Sequence, residues 1–193
     1  MYSIVDLEAT GGKFNEESII EIAIYKYDGE KVVDQFISLV NPDKEISPYV
    51  EKLTGIDAKM VKTAPVFSEL AKRIIEITDS TILVAHNAQF DYRLLQIEFD
   101  RLGYEYIKES LCTVILSQKL LPNQESYKLG KLVKSLGIPL SQRHRASGDA
   151  KATVELFKLL IQKDIDKQII SKNIVTYLGQ NVRTVFNKII NCI

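Results

Sequence analysis

The chain has 193 residues, of which 46% are hydrophobic and 26% charged, a balance that suits one globular domain able to bury a core without disulfides or structural metal. Its 25 Lys+Arg cancel its 25 Asp+Glu, so no global basic field gathers nucleic acid. That excludes a tight stand-alone nucleic-acid binder, but not an enzyme that holds a few nucleotides locally or is delivered by a partner.

Read from the N-terminus, residues 2–8 are expected to form a strand, entered at once by Tyr2, Ile4, Val5 and Leu7. No basic segment with an apolar stretch and a small-residue cleavage site precedes it, so no signal peptide is expected. Residues 18–28 and 31–40 read as two further strands, joined by a hairpin at Asp28-Gly29-Glu30. Asn41-Pro42-Asp43 stops the third strand, and Ser47-Pro48 opens a short helix ending before Gly55. Leu70, Ile74 and Ile77 give residues 66–78 a helical period. Thr81–Ala85 is a short apolar run of the kind found at the centre of a sheet. A helix is expected from Ala88 to Leu102, then helices at Thr113–Leu120, Lys128–Leu136 and Gly148–Gln162, with a further short strand near residues 110–113. Early hairpins followed by alternating elements predict an α/β fold, a mixed sheet flanked by helices.

Residue 163 marks a change of character. Residues 1–162 make the main domain, and residues 163–193 a helical C-terminal extension with apolar stripes at Ile165, Ile169 and Ile170 and at Val182, Val185, Phe186, Ile189, Ile190 and Ile193. The extension holds five Lys/Arg and two Asp/Glu. It suits packing on its own domain, a homodimer surface or docking on another protein. Cys112 and Cys192 show neither metal spacing nor a disulfide framework, as expected of reduced thiols in a cytoplasmic protein. No apolar run approaches the roughly 20 residues that span a bilayer, so no membrane partner is expected.

The chemistry sits in three short stretches: Asp6-Leu7-Glu8, His86-Asn87-Ala88-Gln89-Phe90-Asp91 and His144-Arg145-Ala146-Ser147-Gly148-Asp149. In a strand, Asp6 and Glu8 point to one side, roughly 6.6 Å apart along the chain, at the carboxyl end where ligands of open α/β sheets bind. Asn87 is placed to cap the next helix, which sets Asp91 in its first turns, and Ser147 is placed to cap the helix carrying Asp149. Each piece alone has a bland reading: a solvated strand edge, a helix N-terminal acid, a surface histidine. Together they point elsewhere, because the chain has only two histidines and each opens one of these segments. Carboxylates gathered from distant segments need positive charge between them, and a pair of Mg²⁺ or Mn²⁺ ions fits oxygen ligands that leave room for substrate phosphate. Two such ions roughly 3.5–4 Å apart bracket a scissile phosphodiester. An imidazole, with an ordinary pKa near neutrality, suits the proton of an attacking water.

The three motifs, in this order and at this spacing, resemble those of the DEDDh 3′→5′ exonucleases, a family that includes the proofreading epsilon subunit and the exonuclease domain of bacterial DNA polymerase III, and ribonuclease T. The resemblance covers about residues 1–162. Leu53-Thr54-Gly55-Ile56 and Tyr127-Lys128-Leu129 with Leu132 are similar to further family segments. It implies an RNase H-like fold with a five-stranded mixed sheet. It also implies that Asp6, Glu8 and Asp149 bind the first metal, that Asp6 bridges to the second, that Asp91 acts there through water, and that His144 is the general base. His144 stands five residues before Asp149, as in the histidine branch; Arg145 occupies the place of the other branch's tyrosine. By the same resemblance Thr10 holds the terminal 3′-hydroxyl, Leu53 packs on the terminal base, and His86 and Phe90 line the pocket. Ala9 departs from the family's usual threonine, which blurs substrate choice. The implied activity is release of nucleoside 5′-monophosphates from the 3′ end of single-stranded or frayed DNA, in proofreading or repair beside a DNA polymerase. The alternatives are an RNA 3′-trimming exoribonuclease of the ribonuclease T kind and a catalytically silent polymerase-accessory domain.

Overall fold

The computed structural model describes residues 1–176. The chain opens with β1 (Tyr2–Ala9), β2 (Ile19–Tyr27) and β3 (Val32–Leu39), followed by α1 (Pro48–Thr54), α2 (Ala58–Lys62) and α3 (Phe67–Thr78). Then come β4 (Ile82–Ala85), α4 (Ala88–Arg101), β5 (Glu109–Cys112), α5 (Thr113–Leu120) and α6 (Leu129–Ser135). The last elements are α7 (Ala146–Lys163), α8 (Gln168–Lys172) and β6 (Val175–Thr176). Each expected element in residues 1–162 is present within a few residues of its expected bounds. The short helix α2 was not legible, since five residues show no period; Asp57 caps it by accepting the Met60 N–H.

One sheet runs in the order β3-β2-β1-β4-β5-β6. β1 pairs antiparallel with β2 and parallel with β4, and β4 pairs parallel with β5, so the sheet is mixed. It has six strands where five were expected. The sixth comes from the extension: β6 lies antiparallel on β5, and Ser110 Oγ donates to the Val175 carbonyl at 3.2 Å. Two residues carry no alternation to read, which is why a helix was expected there instead. The apolar stripe at 182–193 and Cys192 lie outside the described residues.

Alternation along β1 divides the core. Ile4 faces one side, where it meets Ala150, Phe157 and Leu160 of α7, with Leu116 and Leu132 beyond. Val5, Leu7 and Ala9 face the other, against Phe67, Ile74, Leu94 and Phe99 of α3 and α4. Each face of the sheet is thus covered by helices, as expected of the RNase H-like arrangement. No helix among the described residues is long and apolar enough to cross a membrane.

Candidate active site

β1 and β4 are paired only at Tyr2, Ser3 and Ile4, because β4 ends at Ala85 while β1 runs on to Ala9. The carboxyl half of β1 therefore opens a gap on that edge. Asp91, in the first turn of α4, fills it: its Oδ1 accepts the Leu7 N–H at 3.0 Å, and the residue is 5% exposed. Asn87 holds the N-cap position but in a left-handed conformation (φ 80°) with no side-chain cap bond, unlike the expected cap. A tight turn into α4, rather than a capping side chain, delivers Asp91.

α7 crosses the other side of the same strand end. Its N-cap position is Arg145, not the expected Ser147, and the missing cap is supplied from the sheet: the Glu21 carboxylate on β2 accepts the Ala146 N–H at 2.7 Å and three contacts from the Arg145 guanidinium at 2.6–3.1 Å. Glu21 lies directly across from Glu8 in the β1–β2 ladder, beside a register shift that leaves Ile20 of β2 as an extra residue opposite the Glu8–Ala9 step. Glu21 was not singled out from sequence, and Arg145 only as the residue standing in place of the other branch's tyrosine, without a partner. The signal was there in a lone glutamate inside the apolar run Ile19-Ile20-Glu21-Ile22, since a charge buried in a strand requires a partner.

The loop before α7 is packed tightly on it. A Cβ on Gly148 would run into the carbonyl oxygens of Ser141 and Gln142, so only glycine allows this approach. His144 takes φ 60° and donates its backbone N–H to Asp149 Oδ2 at 3.0 Å.

The result is a cluster in which Asp6, Glu8 and Asp149 each offer a carboxylate oxygen, all within 4.8 Å of one another. Burial, then Asp91, Asp149, Glu8 and Glu21, push the Asp6 carboxyl well above the usual range. Glu8 is raised to about 7 by burial, Asp149 and Glu21, with Arg145 pulling the other way. Asp91 is raised by burial, offset in part by its own backbone N–H and that of Leu7. Asp149 is raised by burial, offset by the His144 N–H. Of the cations acting on the cluster, Arg145 is engaged with Glu21, and Arg143 acts on Asp149 by its charge. An all-oxygen donor set short of positive charge fits hard divalent cations.

These shifts fix the sign of a pH effect. A carboxyl raised on folding stabilises the fold below its unfolded value, 4.5 for Glu8, and loses that contribution as pH rises through about 7. For Glu8 alone this is on the order of 3 kcal/mol. Metal-free protein is therefore expected to melt roughly 5–10 °C lower at pH 8 than at pH 5. Mn²⁺ should restore most of this at pH 8 and little at pH 5, as read by calorimetry with and without chelator.

The four residues expected at the substrate are less uniform. Leu53 on α1 and Phe90 on α4 are 38% and 36% exposed. Thr10 is buried; its hydroxyl accepts the Ser18 N–H and donates to the Gly11 carbonyl, while its backbone bonds Ser18 and Ser47. His86 has both ring nitrogens engaged, one with Thr113 Oγ1 at 2.9 Å and one with the Tyr127 carbonyl at 2.8 Å. Burial lowers its imidazole to about 4, the Tyr127 carbonyl opposing, so the ring is neutral at pH 7.

The Exonuclease (RNase_T) family profile matches residues 3–157. The PolC-type DNA polymerase III of Caldanaerobacter subterraneus subsp. tengcongensis is 38% identical over 162 residues, 84% of this chain and 12% of the polymerase. The 3′-5′ exonuclease DinG of Staphylococcus saprophyticus is 32% identical over 183 residues, 94% of this chain and 20% of that protein. The chain thus spans a minor part of the curated relatives it matches. Among solved structures, exonuclease X in complex with 5′ overhanging duplex DNA superposes with TM-score 0.70 at 29% identity, covering 85% of this chain and 93% of that one. The nuclease domain of a DEDDh family member bound to rAMP shares the fold at TM-score 0.74 and 19% identity, covering 92% and 96%. By profile and relatives together, the chain belongs to the Exonuclease (RNase_T) family.

Proposed function

We propose that this domain is a divalent-metal-dependent 3′→5′ exonuclease that removes nucleoside 5′-monophosphates from single-stranded or frayed DNA ends. The observation that carries this is the gathering of Asp6, Glu8 and Asp149, from β1 and α7, within 4.8 Å, with Asp91 of α4 buried beside them. Asp6, Glu8 and Asp149 would hold one Mg²⁺ or Mn²⁺, and Asp6 with Asp91, through water, a second. When bound, the pair supplies a lowered pKa for the attacking water and stabilisation of the leaving 3′-oxygen. His144 takes the water's proton. Its loop is held by its own N–H on Asp149 and, one residue on, by the Arg145–Glu21 clamp. Leu53 and Phe90 offer apolar surface to the terminal nucleoside. Thr10 and His86, whose polar atoms are engaged inside the protein, hold the walls of the site.

DNA is favoured over RNA by the relatives at 29–38% identity, which are named for DNA polymerase, DinG exonuclease and a DNA complex. A proofreading or repair role fits the zero net charge, because a polymerase or neighbouring domain would supply duplex affinity. The test is digestion of 5′-labelled single strands of identical sequence in DNA and RNA. A ladder shortening one nucleotide at a time from the 3′ end, faster for DNA and abolished by chelator, is expected. Internal cuts, or release indifferent to chelator, would remove the mechanism; faster RNA trimming would replace the substrate.

A further inference from the structure

Four carboxylates at the reaction centre and a zero net charge give a single strand little electrostatic hold. Affinity that tolerates any sequence then has to come from stacking of bases on aromatic rings, worth roughly 5- to 150-fold per base. We propose that Phe14, seated on Arg93, is a stacking subsite for a nucleobase on the retained side of the scissile bond; this rests on the exonuclease reading above.

Phe14 lies in the excursion between β1 and β2, residues 11–17. The feet of that excursion are tied by the Thr10 N–H to Ser18 carbonyl bond (2.9 Å) and the Ser18 N–H to Thr10 Oγ1 bond (3.1 Å). Thr10 is two residues beyond Glu8, so the excursion springs from the carboxylate cluster itself. The ring is 57% exposed, yet it is held: the Arg93 guanidinium carbon lies 4.4 Å from its centroid. Arg93 is in turn fixed by two 2.9 Å bonds to the Glu17 carboxylate and one of 3.2 Å to Asn15 Oδ1, its side chain 10% and that of Glu17 12% exposed. The same guanidinium lies 5.6 Å from the ring of Phe90, the residue next to Asp91. A buried ion pair thus presets a cation, the cation presets an exposed ring, and the assembly links the excursion after Glu8 to the start of α4, where Asp91 stands. Fixing a ring before binding lowers the ordering cost that binding would otherwise carry. With Leu53 and Phe90 serving the terminal nucleoside, Phe14, held on the same guanidinium as Phe90, is an exposed ring offered to the base that follows it.

The test compares wild type, Phe14→Ala and Phe14→Trp on two 5′-labelled DNA strands, one normal and one whose two nucleotides before the 3′-terminal one are abasic. On the normal strand Phe14→Ala is expected to raise KM about tenfold with kcat changed less than twofold, and Phe14→Trp to restore it. On the abasic strand wild type should already show the raised KM, and Phe14→Ala should add nothing. Equal KM for wild type and Phe14→Ala on the normal strand would overturn the proposal. So would an equal penalty on both strands, which marks a loop-closing role alone. Anisotropy binding of the same strands in chelator gives the same comparison without turnover. An inactive wild type would sink the exonuclease reading, and the binding comparison would still decide Phe14.

Discussion

Asp6→Ala is expected to abolish mononucleotide release, by roughly 10³-fold or more, while leaving the fold intact. Asp6 stands at the centre of the acids: its carboxyl is raised by burial and then by Asp91, Asp149, Glu8 and Glu21 in turn. It is the one residue assigned to both cations, so its loss removes a ligand from each. The same geometry predicts an unusual companion result. In the metal-free protein the burial and crowding that raise Asp6 oppose folding, and deleting the central carboxyl relieves its neighbours. Metal-free Asp6→Ala should therefore melt at least as high as metal-free wild type, while Mn²⁺, which stabilises wild type by binding the folded form, should raise the variant's melting temperature far less. A variant that keeps turnover would show that the cluster is not the reaction centre. One that loses activity by unfolding would leave the melting curve, rather than the rate, as the reason.

The outcome of the sequence reading has a physical pattern. Strand β1, helix α1 with its Ser47 cap and Gly55 terminator, and helix α7 were legible because alternation, capping and helical period act locally. The five candidate catalytic residues could be named because acids and a histidine stand at element ends in a known order; that Asp6, Glu8, Asp91 and Asp149 come together is a property of the β1–β4 gap and of α7 crossing β1, which no local pattern states. Glu21, and its pairing with Arg145, were missed for that reason. They are 124 positions apart, and only the sheet brings them together. The cap of α7 was misassigned because a side chain from another strand replaced the local one. Strand β6 and helix α2 were too short to carry any period.

His144→Ala should lower turnover by about 10²- to 10⁴-fold, the usual worth of a positioned base, with divalent-cation binding nearly unchanged. The separation follows from how the residue is used. Its hydrogen bond to the carboxylate cluster is the backbone N–H that donates to Asp149 at 3.0 Å, and alanine keeps an N–H. The imidazole, whose charge also acts on Asp149, is the group proposed to take the proton of the water. Position 144 also has φ 60°, a left-handed conformation that costs an alanine about 1 kcal/mol and an asparagine less. His144→Asn should therefore lose turnover as fully as His144→Ala but melt higher, which distinguishes loss of the base from distortion of its loop. Calorimetric Mn²⁺ titration and single-turnover rates on one labelled strand measure both halves. If either variant loses metal affinity in step with its rate, His144 is acting on the cations rather than on the proton of the water.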